Sequence, residues 1–154
     1  MPEELSEGLI RFLHDLSPED RDHALSVLSG CKTVELESGV PRFTNGFATE
    51  ALLLVDSGFV ILRATMSPAL RSVVTCEAGP GSVLLAPGRT EVLLGLGRSH
   101  LTVVDPGARA ALVRVPAVAD RLVQQLALAL RQNQEAIAIF APARHGDRVR
   151  GKLL

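Results

Sequence analysis

From Pro116 to Ala141 apolar residues recur at helical spacing along two separate rows, and this doubling constrains the chain more than any other feature. One row is Leu122, Leu126, Ala129, Ala136 and Phe140; the other is Val123, Ala127, Leu130, Ile137 and Ala141. A helix of that length spans roughly 39 Å at 1.5 Å per residue. A helix resting on one surface needs only one apolar stripe. The second stripe calls for a partner helix, most simply its own copy. The sequence therefore predicts a homodimer through residues 116–141, with Leu122, Val123, Leu126, Leu130, Ile137 and Phe140 at the interface. Pro142 is expected to end the helix, leaving 142–154 as a hinge and the start of a further helix.

Upstream, the rhythm is different. Leu5, Leu9, Leu13 and Leu16 share one helical face, and Ser17-Pro18-Glu19-Asp20 restarts a helix with a capping serine, a first-turn proline and first-turn acids. From Cys31 the chain reads as short strands and turns. Strands are expected at Thr33–Leu36, Pro41–Phe43, Ala51–Val55, Phe59–Ala64, Arg71–Ala78, Val83–Leu85, Glu91–Leu94 and Leu101–Val104. Asn45-Gly46, Ser67-Pro68 and Gly79-Pro80-Gly81 mark turns between them. Asp105-Pro106 then caps a short helix running towards Arg114. Many short strands with regular turns indicate an antiparallel sandwich or roll. With aromatics at 3% and neither Trp nor Tyr, its core must be built from Leu, Val, Ile and Ala.

Charge narrows the function. The net charge is −1, without the basic excess by which phosphate-binding domains gain affinity, and positive residues gather only at Arg144, Arg148, Arg150 and Lys152. The acidic start, Met1-Pro2-Glu3-Glu4, lacks the order of a signal peptide, and no apolar run approaches the ~18 residues that cross a membrane. A cytoplasmic protein with reduced thiols is expected. Two cysteines, Cys31 and Cys76, are too few for an iron–sulfur cluster, although either could act as a thiol switch. His14, His23, His100 and His145 are scattered, and only His100 lies among the strands, so neither a haem nor a cupin-like metal site is expected. No metal, no cofactor and no catalytic role are assigned.

The order of elements, helical lead-in, roll, short helix, long helix and hinge, resembles the sensor domain of CRP/FNR transcription regulators. Leu16-Ser17-Pro18-Glu19-Asp20-Arg21 resembles that family's opening helix, and Leu52 to Val60, with Asp56-Ser57-Gly58, is similar to its central strand-turn signature. Gly79-Pro80-Gly81 matches the turn before its ligand cassette, and Asp105-Pro106 through Arg121-Leu122 its short helix leading into the dimer helix. Gly146 to Leu154 resembles the first helix of its DNA-binding domain. The resemblance implies an α+β, mainly β fold: an antiparallel β-roll of jelly-roll, cyclic-nucleotide-binding-like type, with N-terminal helices and a long C-terminal dimerisation helix. It implies a sensor domain over 1–141 and contact with DNA only through a helix-turn-helix missing from this chain. The end inside a helix reads as a fragment of a longer regulator; the rival reading is a stand-alone signalling or scaffold module.

In relatives that bind cyclic nucleotides, a short helix after the turn offers amides to the phosphate, a Gly-Glu pair holds the ribose and an Arg-Ser or Arg-Thr pair holds the phosphate. The Arg-Thr pair survives here as Arg89 and Thr90, or an Arg-Ser pair as Arg98-Ser99, but Leu85-Ala86 stands where Gly-Glu is expected and the segment is several residues short. The expectation is a degenerate site that does not take cyclic AMP or GMP, leaving the effector unidentified. Arg89 reads equally as a surface arginine at a strand end. Asn133 and Gln134 stand where the family contacts the base, and they either read a ligand or fix the register of the helix seam.

Overall fold

The computed structural model describes residues 5–42, 47, 50–66 and 71–153, with the side chains at 66, 71, 137 and 139–153 excepted. The expected turns at Asn45-Gly46 and Ser67-Pro68 therefore lie outside the described residues. So do the side chains of Ile137 and Phe140 and those of the basic group near the end. Helices α1 (Glu7–Phe12) and α2 (Pro18–Ser29) come first. Among the described residues seven strands follow: β1 (Lys32–Leu36), β2 (Leu52–Ser57), β3 (Val60–Met66), β4 (Arg71–Ala78), β5 (Val83–Leu85), β6 (Glu91–Gly95) and β7 (Ser99–Val104). Helices α3 (Pro106–Leu112) and α4 (Pro116–Leu153) close the chain.

The strands form two antiparallel sheets, ordered β1-β7-β2-β5 and β4-β3-β6. The eighth strand expected at Pro41–Phe43 is reduced among the described residues to an isolated bridge between Arg42 and Leu93. Period-two burial sends alternate side chains to opposite faces of the first sheet. Leu36, Leu53, Val55, Leu101 and Val103 point inward, meeting Val60, Leu62, Cys76 and Leu93 of the second sheet. Leu52, Leu54, Val83 and Val104 point outward against Phe12, Leu13, Leu28, Leu112, Val118 and Leu122 of the four helices. At its centre β2 is thus buried on both faces, which is why it reads as an unbroken apolar run rather than an alternating one.

Between β2 and β3 the chain reverses at Gly58, whose φ of +85° favours glycine and whose Cβ position would meet the Ser99 hydroxyl. Ser99 is fully buried; its hydroxyl accepts from the Phe59 amide and bonds back to the Phe59 carbonyl. This stitches the turn to β7.

Two helices differ from expectation. The first is expected to cover Leu5 to Leu16 but stops at Phe12: Asp15 turns into the left-handed region at a φ of +63°, Ser17-Pro18 starts the next helix, and Arg121 of α4 donates to the carbonyls of Phe12 and His14 that the end leaves open. At the other end, α4 runs through Pro142 rather than ending there and continues to Leu153. Proline lacks the amide that would bond back four residues; one bond is lost while the helix resumes on either side.

Candidate functional site

The segment aligned with a nucleotide cassette is a bare connection. After β5, residues 86–90 form a loop and turn with no helix, closed by the Gly88 amide donating to Glu91 Oε1 at 3.0 Å. Arg89 and Thr90 are both exposed at this turn, and Leu85, where a ribose-binding pair is expected, is 59% exposed on the end of β5. No helix N-terminus stands here to present amides to a phosphate. The alternative pair is also accounted for structurally: Arg98 bonds Glu35 at 2.9 Å, and Ser99 holds the β2–β3 turn.

Helix α4 carries the two apolar rows, and the structure assigns them to different sides. Leu122 is 4% exposed and packs in the chain's own core, with Leu126 and Ala129 partly buried beside it. Leu122 is thus committed to the chain's own core, and Leu126 stands half-buried beside it. The reason is rotational: Val118 and Leu122 are drawn onto the outer face of the first sheet, which fixes the phase of the whole helix. Val123 and Leu130 face solvent at 63% and 59% exposure, with Ala127 exposed between them. Gln134 continues that outward row at the same four-three spacing and is exposed, whereas Asn133 is half-buried on its flank. The neighbouring Gln132 accepts from the Glu77 amide at 2.8 Å, a bond that sequence reading missed and that ties α4 to β4. Beneath it a cleft of about 370 Å³ runs between β4 and α4.

The most built polar feature was not anticipated. Asp56 interrupts the apolar run of β2 and is 7% exposed. Thr102 donates to one carboxylate oxygen at 2.6 Å and Ser6, the N-cap of α1, to the other at 3.2 Å. Burial pushes its carboxyl above the ordinary carboxylate value, against the pull of these two hydrogen bonds and of His100. Beside it Ser57 Oγ and His100 Nδ1 lie 3.0 Å apart, with Glu35 3.8 Å from the other ring nitrogen. The acid that follows directly on Leu52-Leu53-Leu54-Val55 was the sequence signal, and nothing in the local pattern named its partners 46 and 50 residues away. This group floors a cavity of about 860 Å³ between α1, α2 and the first sheet.

Neither cysteine has the low-pKa setting of a redox switch. Desolvation pushes the Cys31 thiol up, and Asp105 adds to it; burial does the same for buried Cys76, aided by Glu91 and Glu77. Among the described residues no group of three or more His, Cys, Asp or Glu is placed to hold a metal. His23 bonds the Ala111 carbonyl at 3.1 Å, apart from His100. Among the described residues no helix is long and apolar enough to cross a membrane.

Two sheets closed into a roll, helices against one outer face and a long terminal helix define a cyclic-nucleotide-binding-like domain. The solved structures narrow this: the catabolite activator protein of Thermus thermophilus is 27% identical, with a TM-score of 0.63 over 85% of this chain and 63% of that one. The N-terminal domain of a transcriptional regulator from Streptomyces coelicolor is 25% identical, with a TM-score of 0.55 over 84% of this chain and 94% of that one. A CooA mutant from Carboxydothermus hydrogenoformans shares the fold at 15% identity, with a TM-score of 0.69 over 99% of this chain and all of that one. The chain is a CRP/FNR-like domain, spanning under two thirds of the length of the Thermus activator. No protein-family profile matches it, and no curated protein sequence does.

Proposed function

We propose that the chain is the effector-sensing and dimerisation domain of a CRP/FNR-type transcription regulator, not an enzyme. Its nucleotide site is degenerate, and DNA is reached through a helix-turn-helix outside these residues. The supporting observation is α4: one side seals the core through Val118 and Leu122, while the other holds Val123, Ala127 and Leu130 in solvent at the spacing of a two-helix seam. A second copy packed along that row buries it, with Gln134 as a polar position that fixes register.

Light scattering on the chain tests this. The wild type is expected to be a dimer, and Val123→Glu with Leu130→Glu to be a folded monomer, since two carboxylates brought into an apolar seam lose their hydration. A wild type that stays monomeric at high concentration overturns the reading. The absence of a cassette helix and the exposure of Arg89 predict no thermal shift with cyclic AMP or cyclic GMP. A true ligand at 100 times its Kd would add about 2.7 kcal/mol, or roughly 5–10 °C for a chain of this size.

A further inference from the structure

The larger cavity lies on the opposite side of the first sheet from the roll interior where a nucleotide would sit. Its walls are apolar, from Leu5 and Leu9 of α1 and Leu25 and Leu28 of α2. Its floor is polar and acidic: Asp56 with Thr102, then Ser57 and His100, with Asp22 at the rim. Among the described residues no lysine or arginine lines it. A volume of about 860 Å³, apolar walls and a few convergent polar groups match the ordinary build of small-molecule sites, which run to roughly 300–1,000 Å³. The charge selects the ligand. An anion would be placed between two carboxylates with no cation to receive it, whereas an ammonium group would gain a charge-assisted hydrogen bond to Asp56.

We infer that this cavity is the effector site, and that it takes a small organic amine whose cationic head meets Asp56 and whose apolar body lies against α1 and α2. The inference rests on the sensor-domain reading and gives it a site. The route to the dimer helix is short. Ser6 at the start of α1 bonds Asp56, and the carbonyls of Phe12 and His14 at its end receive Arg121 of α4. A ligand that shares Asp56 with Ser6 therefore bears on α1, and α1 bears on α4.

The test is an amide NMR titration of the 154-residue chain with hexylamine, hexanol and hexanoate in parallel at pH 7. Saturable shifts at Ser57, Thr102 and α2 are expected with millimolar hexylamine, about tenfold weaker binding with hexanol, and none with hexanoate. Asp56→Asn keeps the shape and should weaken hexylamine binding about tenfold. Ser26→Trp, introduced at an exposed position on the rim, should abolish it and decides the matter if Asp56→Asn fails to fold. Equal binding of hexanoate, shifts centred on Gln132 instead, or full binding by Ser26→Trp would each overturn the site. Light scattering on the same samples separates the two readings: a dimer that ignores hexylamine removes the site alone, whereas a monomer that binds it removes the sensor-domain reading and leaves the cavity.

Discussion

Gly8→Ala offers the sharpest test of how α1 is seated. In an isolated helix the change would help, because alanine exceeds glycine by about 1 kcal/mol in helix propensity. Here α1 lies directly on β2: a Cβ at Gly8 would stand 1.9 Å from the Val55 carbonyl oxygen and 2.6 Å from Asp56 Cα. Those are backbone atoms of a central strand, flanked by β7 on one side and held on the other by the Gly81-Ser82 segment. The Val55 oxygen accepts from the Gly81 amide at 2.9 Å, and the Val55 amide donates to Ser82 at 3.0 Å. The strand cannot give way, so the helix must. Ordinary contact begins at 3.4 Å, so α1 must retreat by about 1.5 Å. That retreat loosens Phe12 and Leu13, only 2% and 3% exposed, and strains the Ser6–Asp56 and Arg121 contacts at the two ends of the helix. Overpacking of this kind costs about 1–3 kcal/mol and occasionally more, with backbone contacts at the upper end. After the propensity gain the net loss should be about 2 kcal/mol, a fall in Tm of roughly 4–8 °C. Gly30→Ala is the control. Its φ is −85° and its nearest Cβ contact is 3.6 Å, so it should be neutral or mildly stabilising. If Gly8→Ala melts at or above the wild type by calorimetry, the account of α1 is wrong.

Two more expectations follow from the buried titratable groups. A carboxyl raised above its ordinary value of 3.8 binds its proton more tightly in the folded chain, so Asp56 costs stability as pH rises above that value towards its folded pKa. Asp56→Asn should therefore gain Tm relative to wild type as pH climbs from about 4 to 8; a flat or falling difference would refute the desolvation argument. For the thiols, raised pKa values and the burial of Cys76 predict slow alkylation of the native chain at pH 7, with Cys76 slower than Cys31. Rapid labelling of Cys76 by iodoacetamide, read by mass spectrometry, would contradict its place in the core.

Much of the architecture was written locally. The strands at Arg71–Ala78 and Val83–Leu85 have the bounds that the turn residues indicate, and the Ser17 and Asp105 side chains accept from Asp20 and Ala108 as N-caps should. Periodicity also showed two apolar rows on α4. It could not say which row faces inward, because that phase is set by where Val118 and Leu122 meet the first sheet. Arg121, which caps the open end of α1, lies more than a hundred residues away, and the Asp56 cluster joins residues from α1, β2 and β7. Such long-range pairings leave no spacing to read.

The order of strands also sets a timetable. In the second sheet β3 and β4 are consecutive and pair from Val60–Ala78 to Met66–Arg71, so that hairpin can close as soon as its own residues exist. The first sheet has no such pair: β7 lies between β1 and β2, and β5 reaches β2 across two intervening strands. Its closure waits for the last strand, with Lys32 meeting Val103 some seventy residues later. Non-local pairing of this kind makes folding slow. A chain emerging from the ribosome carries the outer helices α1 and α2 against an unfinished sheet until Val104 is out, and α4, synthesised after it, arrives at a sheet that has only just acquired its middle.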